Sequence, residues 1–395
     1  MKSLCKYILP ICTLISLYLY EKSTLANVAI TSVFYGEEEV ISSTIILILF
    51  VLMSISTFFM KGIMVVSEEG RKLKNSLVAF LVYVYILSVS ISLFVPFQSR
   101  ILYFAIGLPL LSFMVVQRFL RVHRAINILY GIVVLFFLLS YQYLINYNIV
   151  HAAASDTSSN NSSYFLLYLL PFLLCIEKKY LKWMLISIVV IAVLSSFKRG
   201  GTIAVFASLL VYYYVNNIKL TGGSSKILYL LLLLFTVFIV VSFLNSTDNL
   251  IIEHLSERFI NIKNDNGSGR SETISEALLQ FTNSDVISML FGHGWNMVEQ
   301  TLKSGISAHN DFIECLYDFG IIGFILLLRV LFAAYRYLKS LIANRSIYAA
   351  PFAASCTIFM LNTMVSHILI YPYYLLLFMA FISFVIYSSS NTEHV

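Results

Sequence analysis

The chain has 395 residues, 59% of them hydrophobic and 12% charged, with a mean hydropathy of +0.86. A soluble protein of this length carries about a quarter charged residues, so the composition excludes a soluble globular protein and makes lipid the main solvent. The formal charge of +6 does not indicate nucleic acid, because Lys and Arg sit in short clusters between apolar runs, the pattern that orients membrane helices.

Taken in chain order, the apolar runs are 4–20, 40–60, 76–95, 101–117, 125–145, 163–176, 183–197, 202–217, 227–244, 312–333, 347–366 and 370–388. They lack period-two alternation, which argues for helices and against a barrel. The expected fold is an all-α integral membrane protein with about 12 transmembrane helices, in the range 10–12 because 163–176 and 183–197 are short. The first run follows Met1-Lys2-Ser3 but meets no small-x-small cleavage site before Glu21, so it reads as a retained span. Three regions are expected: helices 1–9 over residues 1–244, a large outer loop over 245–311, and helices 10–12 over 312–395.

Charge sets the orientation. With the N-terminus inside, the inner segments collect 18 of the 26 basic residues and the outer segments 8, four of those in the 245–311 loop, which counts little. Both termini are therefore expected in the cytoplasm, and the 245–311 loop outside. Five cysteines (Cys5, Cys12, Cys175, Cys315 and Cys356) lie in or beside apolar runs without C-x-x-C spacing, and read as small buried hydrophobes. There is no phosphate loop, H-E-x-x-H or D-x-D pair, so no metal or other cofactor is expected. The acidic clusters Glu37-Glu38-Glu39 and Glu68-Glu69 read as solvated loop charges. A bacterial membrane offers no nucleotide donor on its outer face, so an enzyme working there needs a substrate already activated on a lipid.

Few polar residues stand out. Ser196-Phe197-Lys198-Arg199-Gly200-Gly201 forms a tight hairpin between two spans, where glycines admit close backbone approach to an anion. The alternative is an Arg that caps helix carbonyls or snorkels to headgroups. Gly267-Ser268-Gly269-Arg270-Ser271 is a flexible turn ahead of an amphipathic stretch, Glu272–Phe281; alone, Arg270 reads equally as a solvated loop residue. His309 precedes a helix that starts near Asn310 or Asp311, whose free N–H groups would face outward. Its imidazole can take a proton near neutral pH, or it can simply cap the helix. His293, flanked by Gly292 and Gly294, reads as a structural turn. Glu314 shares a helix face with Asn310; an intramembrane carboxylate is a functional candidate, with a structural ion pair to Arg199 or Arg270 as the alternative. Gly320 and Gly323 read as close helix packing.

Arg199 in S-x-x-R-G, Arg270 in G-x-G-R, Gly292-x-Gly294, and His309-Asn310-x-Phe312-x-Glu314 followed by Gly320-x-x-Gly323 together resemble the signature of the O-antigen ligase/polymerase superfamily, over roughly residues 183–335. The Trp that the family often carries a few residues after the second Arg is missing around Ile274-Ser275, and Lys198 stands where the family commonly has a small residue. The resemblance implies a metal-independent, inverting glycosyltransferase in the bacterial inner membrane, its site facing the periplasm and its substrates undecaprenyl-diphosphate-linked glycans. It implies Arg199 and Arg270, with Lys198 nearby, on the diphosphate, His309 as general base, and Asn310 and Glu314 orienting His309 or the acceptor sugar. A chain-length regulator is a partner that this reaction class admits. The modest 245–311 loop and the Tyr- and Phe-rich spans favour the polymerase over the ligase that delivers polymer to the lipid A core. A transporter of lipid-linked sugars stays open as a third reading, opposed by the apolar middles of most spans.

Overall fold

A computed structural model describes residues 66–92, 107–120, 124–152, 163–196, 199–220, 270–303, 305–365, 368–369 and 372–392. Every regular element among them is helical. In chain order they are α1 (Glu68–Ser92), α2 (Leu108–Leu120), α3 (Ala125–Ala152), α4 (Ser163–Leu174), α5 (Lys179–Ser195), α6 (Arg199–Tyr213), a π-helical turn (Tyr214–Leu220), α7 (Arg270–Thr282), α8 (Val286–Phe291), α9 (Met297–Thr301), α10 (Asp311–Ala343), α11 (Ala349–Val365) and α12 (Pro372–Thr392). Within the described residues, 68–90, 125–145 and 311–343 are helices long and apolar enough to cross a membrane. The expected runs 4–20, 40–60 and 227–244 lie outside the described residues, as do Cys5, Cys12 and the Glu37-Glu38-Glu39 cluster.

Burial separates the helices into two kinds. All twelve residues of α4 are buried, and so is α12 from Tyr374 to Ser390. About 18 Å long, α4 is covered by protein along its whole described length and serves as an inner post. Phe172 of α4 meets Phe381 and Phe384 of α12 edge-on or tilted, with ring centroids at 5.0 and 5.6 Å. The α2 and α10 helices close around α12 as well. Ser383 Oγ donates to the Phe113 carbonyl at 2.7 Å, and Tyr337 Oη shares a hydrogen bond with Ser389 Oγ at 2.9 Å. By contrast α3 turns Tyr130, Val134, Phe137 and Tyr141 outward, as a lipid-facing helix does.

The α1 and α10 helices run antiparallel. Glu69 accepts from Arg336 at 2.9 Å near one end, and Tyr83 meets Phe319 and Gly323 further along. The Glu68-Glu69 pair is thus not the solvated loop pair that the sequence suggested: it forms the first turn of α1. Ser67 Oγ accepts from the Gly70 N–H at 3.2 Å, and acidic residues suit the positive end of a helix. The helix starts eight residues before the run at 76 because its first two turns are polar.

One break interrupts α10. At Gly320, φ is 67° and ψ −173°, a conformation open only to glycine at low cost. Carbonyls released by the break find donors in the loop beside it: His293 N–H donates to Tyr317 O at 3.0 Å, and Gly294 N–H to Asp318 O at 2.8 Å. Gly292, at φ 84°, lies against the break so closely that a Cβ there would overlap the Asp318 carbonyl, and one on Gly320 would overlap that of Leu290. The expectation of close packing holds for Gly323, where a Cβ would overlap Phe319 and come within 3.2 Å of the Tyr83 ring. At Gly320 backbone conformation is required in addition to close packing, which is against the Leu290–Gly292 backbone.

Candidate functional site

The candidate residues gather at the end of the bundle away from the Glu69–Arg336 pair. Arg199 is the first residue of α6; its guanidinium, like the whole of Lys198, lies outside what is described. The next residue, Gly200, approaches the last residue of α11: a Cβ on it would meet Val365 Cγ2 at 3.1 Å and Tyr164 Oη at 3.5 Å. Arg270, the first residue of α7, donates from Nη1 to the carbonyl of the same Val365 at 3.3 Å. Two arginines 71 positions apart in sequence are therefore brought to the C-terminal end of one helix.

His309 reaches this end through α10. Asp311 is fully buried, and its carboxylate accepts from Ile368 N at 2.8 Å and Leu369 N at 3.3 Å. Val365 and Ile368 are three residues apart, which bounds their separation at about 11 Å. The α11–α12 connection thus links the arginine contact to the start of α10. His309 itself is half-buried and sits at φ 50°, left-handed for a non-glycine residue. Its N–H is shared between Ser307 Oγ and Glu314 Oε1, both at 3.1 Å, and Ser307 Oγ in turn donates to Glu314. Fully buried Glu314 so holds the loop that carries His309. Asn310 is the N-cap of α10: its Oδ1 accepts from Phe312 N at 3.0 Å and Ile313 N at 3.3 Å.

Two further residues escaped the sequence reading. Asp318, fully buried, accepts from Asn296, Met297 and Val298 N–H groups at 2.8, 3.0 and 3.2 Å, and so caps α9. Its place, four residues after Glu314 and seven after Asp311, was the available signal, since these spacings share a helix face. Ser307 had no signal beyond its nearness to His309. Together the three carboxylates latch three different loops onto α10.

The segment α7–α9 is a layer resting on α10. Ala277, Phe281, Val298, Leu302, Ala308 and Tyr317 form a small core of its own. Tyr317 Oη donates to Gln280 at 3.0 Å and pairs with Thr301 Oγ1 at 2.8 Å. His293 is built into this layer: its ring stacks on Tyr317 at 4.3 Å, with Nδ1 3.1 Å from Tyr317 O and Nε2 3.0 Å from Ser284 Oγ. Asp285 caps α8, and the Ser288 hydroxyl and N–H hold its carboxyl below the usual value. Among the described residues, no group of three or more His, Cys, Asp or Glu could hold a metal ion.

No curated protein matches the chain. A family model described as O-Antigen ligase matches residues 183–328. That span takes in Arg199 at the head of α6, Arg270 at the head of α7, His309 on its Glu314-held loop, and the break at Gly320. The match covers this segment alone and is consistent with the O-antigen ligase/polymerase superfamily.

Proposed function

We propose that the chain is an O-antigen polymerase. It would be a metal-independent, inverting glycosyltransferase that joins undecaprenyl-diphosphate-linked repeat units at the periplasmic face of the inner membrane. The observation that carries this reading is the convergence at Val365, where the heads of α6 and α7 meet beside the connection that Asp311 ties to the His309 end of α10.

In the reaction, the acceptor hydroxyl oxygen attacks the anomeric carbon of the donor from the face opposite its diphosphate. The carbon–oxygen bond to the diphosphate breaks and the leaving group takes the electron pair. His309 receives the hydroxyl proton. Arg199 and Arg270 supply the countercharge as the diphosphate departs; a guanidinium suits this because its fork binds phosphate oxygens bidentately and stays charged. Glu314 acts through His309, by holding its main chain. Lys198 adds charge on the donor side, and Asn310 keeps the head of α10 in shape.

The arrangement of charge supports the proposed orientation. Arg71 and Lys72 lie in the opening turns of α1, Arg336 and Lys339 in the closing turns of α10, and both sets sit at the end opposite His309. With that basic end in the cytoplasm, both termini inside and about twelve spans, the 245–311 region faces the periplasm. Asp311 lies 25 residues from Arg336, about 38 Å along the helix. With the break at Gly320 this is an upper bound, and a length comparable to about 30 Å of hydrocarbon supports a position for His309 near the lipid headgroups, where the proposed polyprenyl diphosphate would reside.

The description of the matching family as O-Antigen ligase supports a second reading, transfer of finished polymer to the lipid A core. The donor is the same in both reactions. A transporter would present charge to a path across the bilayer, whereas Asp318, the deepest of the three buried carboxylates, is engaged by three main-chain N–H groups. The test is the surface-glycan profile of a deletion strain complemented with wild type or His309→Ala. Loss of a polymerase leaves single repeat units on the core. Loss of a ligase leaves the core bare, with polymer still on the carrier.

A further inference from the structure

The loop between α8 and α9 reaches a depth that the sequence assigned wholly to the outside. Glu69 and Arg336 are paired and mark one boundary of the bilayer, since charges of this kind stay at or beyond the hydrocarbon edge. Gly320 is 16 residues from Arg336, about 24 Å along α10. Tyr83 is 14 residues from Glu69, about 21 Å along α1. Both values fall short of about 30 Å of hydrocarbon. Any tilt shortens them further.

At this depth α8 and its following turn touch both helices. Tyr83 Oη donates to the carbonyls of Phe319 at 2.9 Å and Phe291 at 3.3 Å. Gly292 and Gly320 meet backbone to backbone, and His293 and Gly294 donate to the carbonyls that the break exposes. Irregular backbone is tolerated inside a membrane only where its polar groups are satisfied within the protein, and here partners are supplied for this stretch. The side chains fit the same setting. Val286 and Ile287 are each 71% exposed, and Leu290 and Phe291 are exposed beside them. They continue the exposed apolar surface of the two spans, made by Ile86 on α1 and by Ile325, Leu328 and Phe332 on α10.

We infer that Val286–Gly294 is a re-entrant membrane segment, with the side chains of Val286, Ile287, Leu290 and Phe291 against lipid acyl chains and the Gly320 break as its socket. The α7–α9 layer is thereby anchored in the outer half of the bilayer, independently of which reaction the site performs.

The test uses the full chain in phosphatidylethanolamine/phosphatidylglycerol vesicles, with Ile287→Trp and, separately, Val286→Trp. The emission added over that of the parent protein is compared in vesicles with plain or dibrominated acyl chains, and with iodide in the water. Lys303→Trp, in the turn after α9, is the aqueous control. The expected result is loss of most of the added emission in brominated vesicles and little response to iodide at 286 and 287, with the reverse at 303. Quenching at 286 and 287 by iodide alone overturns the inference, and so does protection from both quenchers, which would mean that protein covers the face. Two variants at strongly exposed positions keep the test valid should one misfold.

Discussion

The carboxylate of Glu314 accepts the main-chain N–H of His309 at 3.1 Å and also the hydroxyl of Ser307. The residue proposed to take the proton is thereby held by its backbone, in a left-handed conformation, from one turn inside the following helix. Glu314→Ala leaves two donors without this acceptor, at about 1–3 kcal/mol for an unsatisfied buried group. Transfer activity should fall at least about tenfold, since 1.4 kcal/mol of misplacement corresponds to that factor. Glu314→Gln keeps an acceptor oxygen and should retain more activity than Ala. Equal loss in both variants, with unchanged melting temperatures, would count against a positioning role.

At His309 the backbone and the ring make separable contributions. His309→Gly removes the imidazole but suits φ 50°, whereas His309→Ala removes the ring and keeps the strain of a left-handed non-glycine, about 1 kcal/mol. Both variants should be inactive, with Gly melting no lower than Ala. The comparison is made by thermal unfolding in detergent alongside the glycan profile, and full-length glycan chains from either variant would remove His309 from the mechanism.

Arg270→Lys tests the fork. A lysine can still reach for the Val365 carbonyl, so the protein should accumulate normally. Its point charge cannot bind two diphosphate oxygens in parallel, and most activity should be lost. Wild-type rates with lysine would show that Arg270 serves only to tie α7 to α11.

The break in α10 gives the largest predicted stability effect. Gly320→Ala and Gly292→Ala each combine a positive φ with overlap on a neighbouring carbonyl. Strain of about 1–3 kcal/mol adds to overpacking of about 1–3 kcal/mol. Each should lower the melting temperature sharply. Gly305→Ala, at φ 58° with open space around it, carries the strain alone and should be the mildest of the three.

Much of the helical framework was legible in the chain because long apolar runs admit little else in lipid. The start of α10 was legible too, since Asn310 is a strong capping residue ahead of an apolar run. Other features needed three dimensions. Gly320-x-x-Gly323 has the spacing of close packing, and nothing in it says that the first glycine also bends the chain while the second makes room for Phe319 and Tyr83. Ser67-Glu68-Glu69 was readable as a helix start, but the polar first turns of α1 hid it behind a hydropathy threshold. The meeting of Gly200 and Arg270 at Val365 joins residues up to 165 positions apart, and no local pattern encodes it. The pairing of three carboxylates with three loops was likewise hidden, although their common face on α10 was present in the spacing of Asp311, Glu314 and Asp318.

The enclosure of α12 bears on how the protein is made. Its side chains from Tyr374 to Ser390 are buried against α2, α4 and α10, all of which leave the ribosome before it. Until α12 enters the bilayer, those earlier helices must surround an unfilled slot, and the connection that Asp311 grips beside Val365 has no fixed far end. Insertion of α12 would therefore complete the packing and set the geometry of the candidate site in the same step, so that a nascent chain holds this site unformed until α12 is in place.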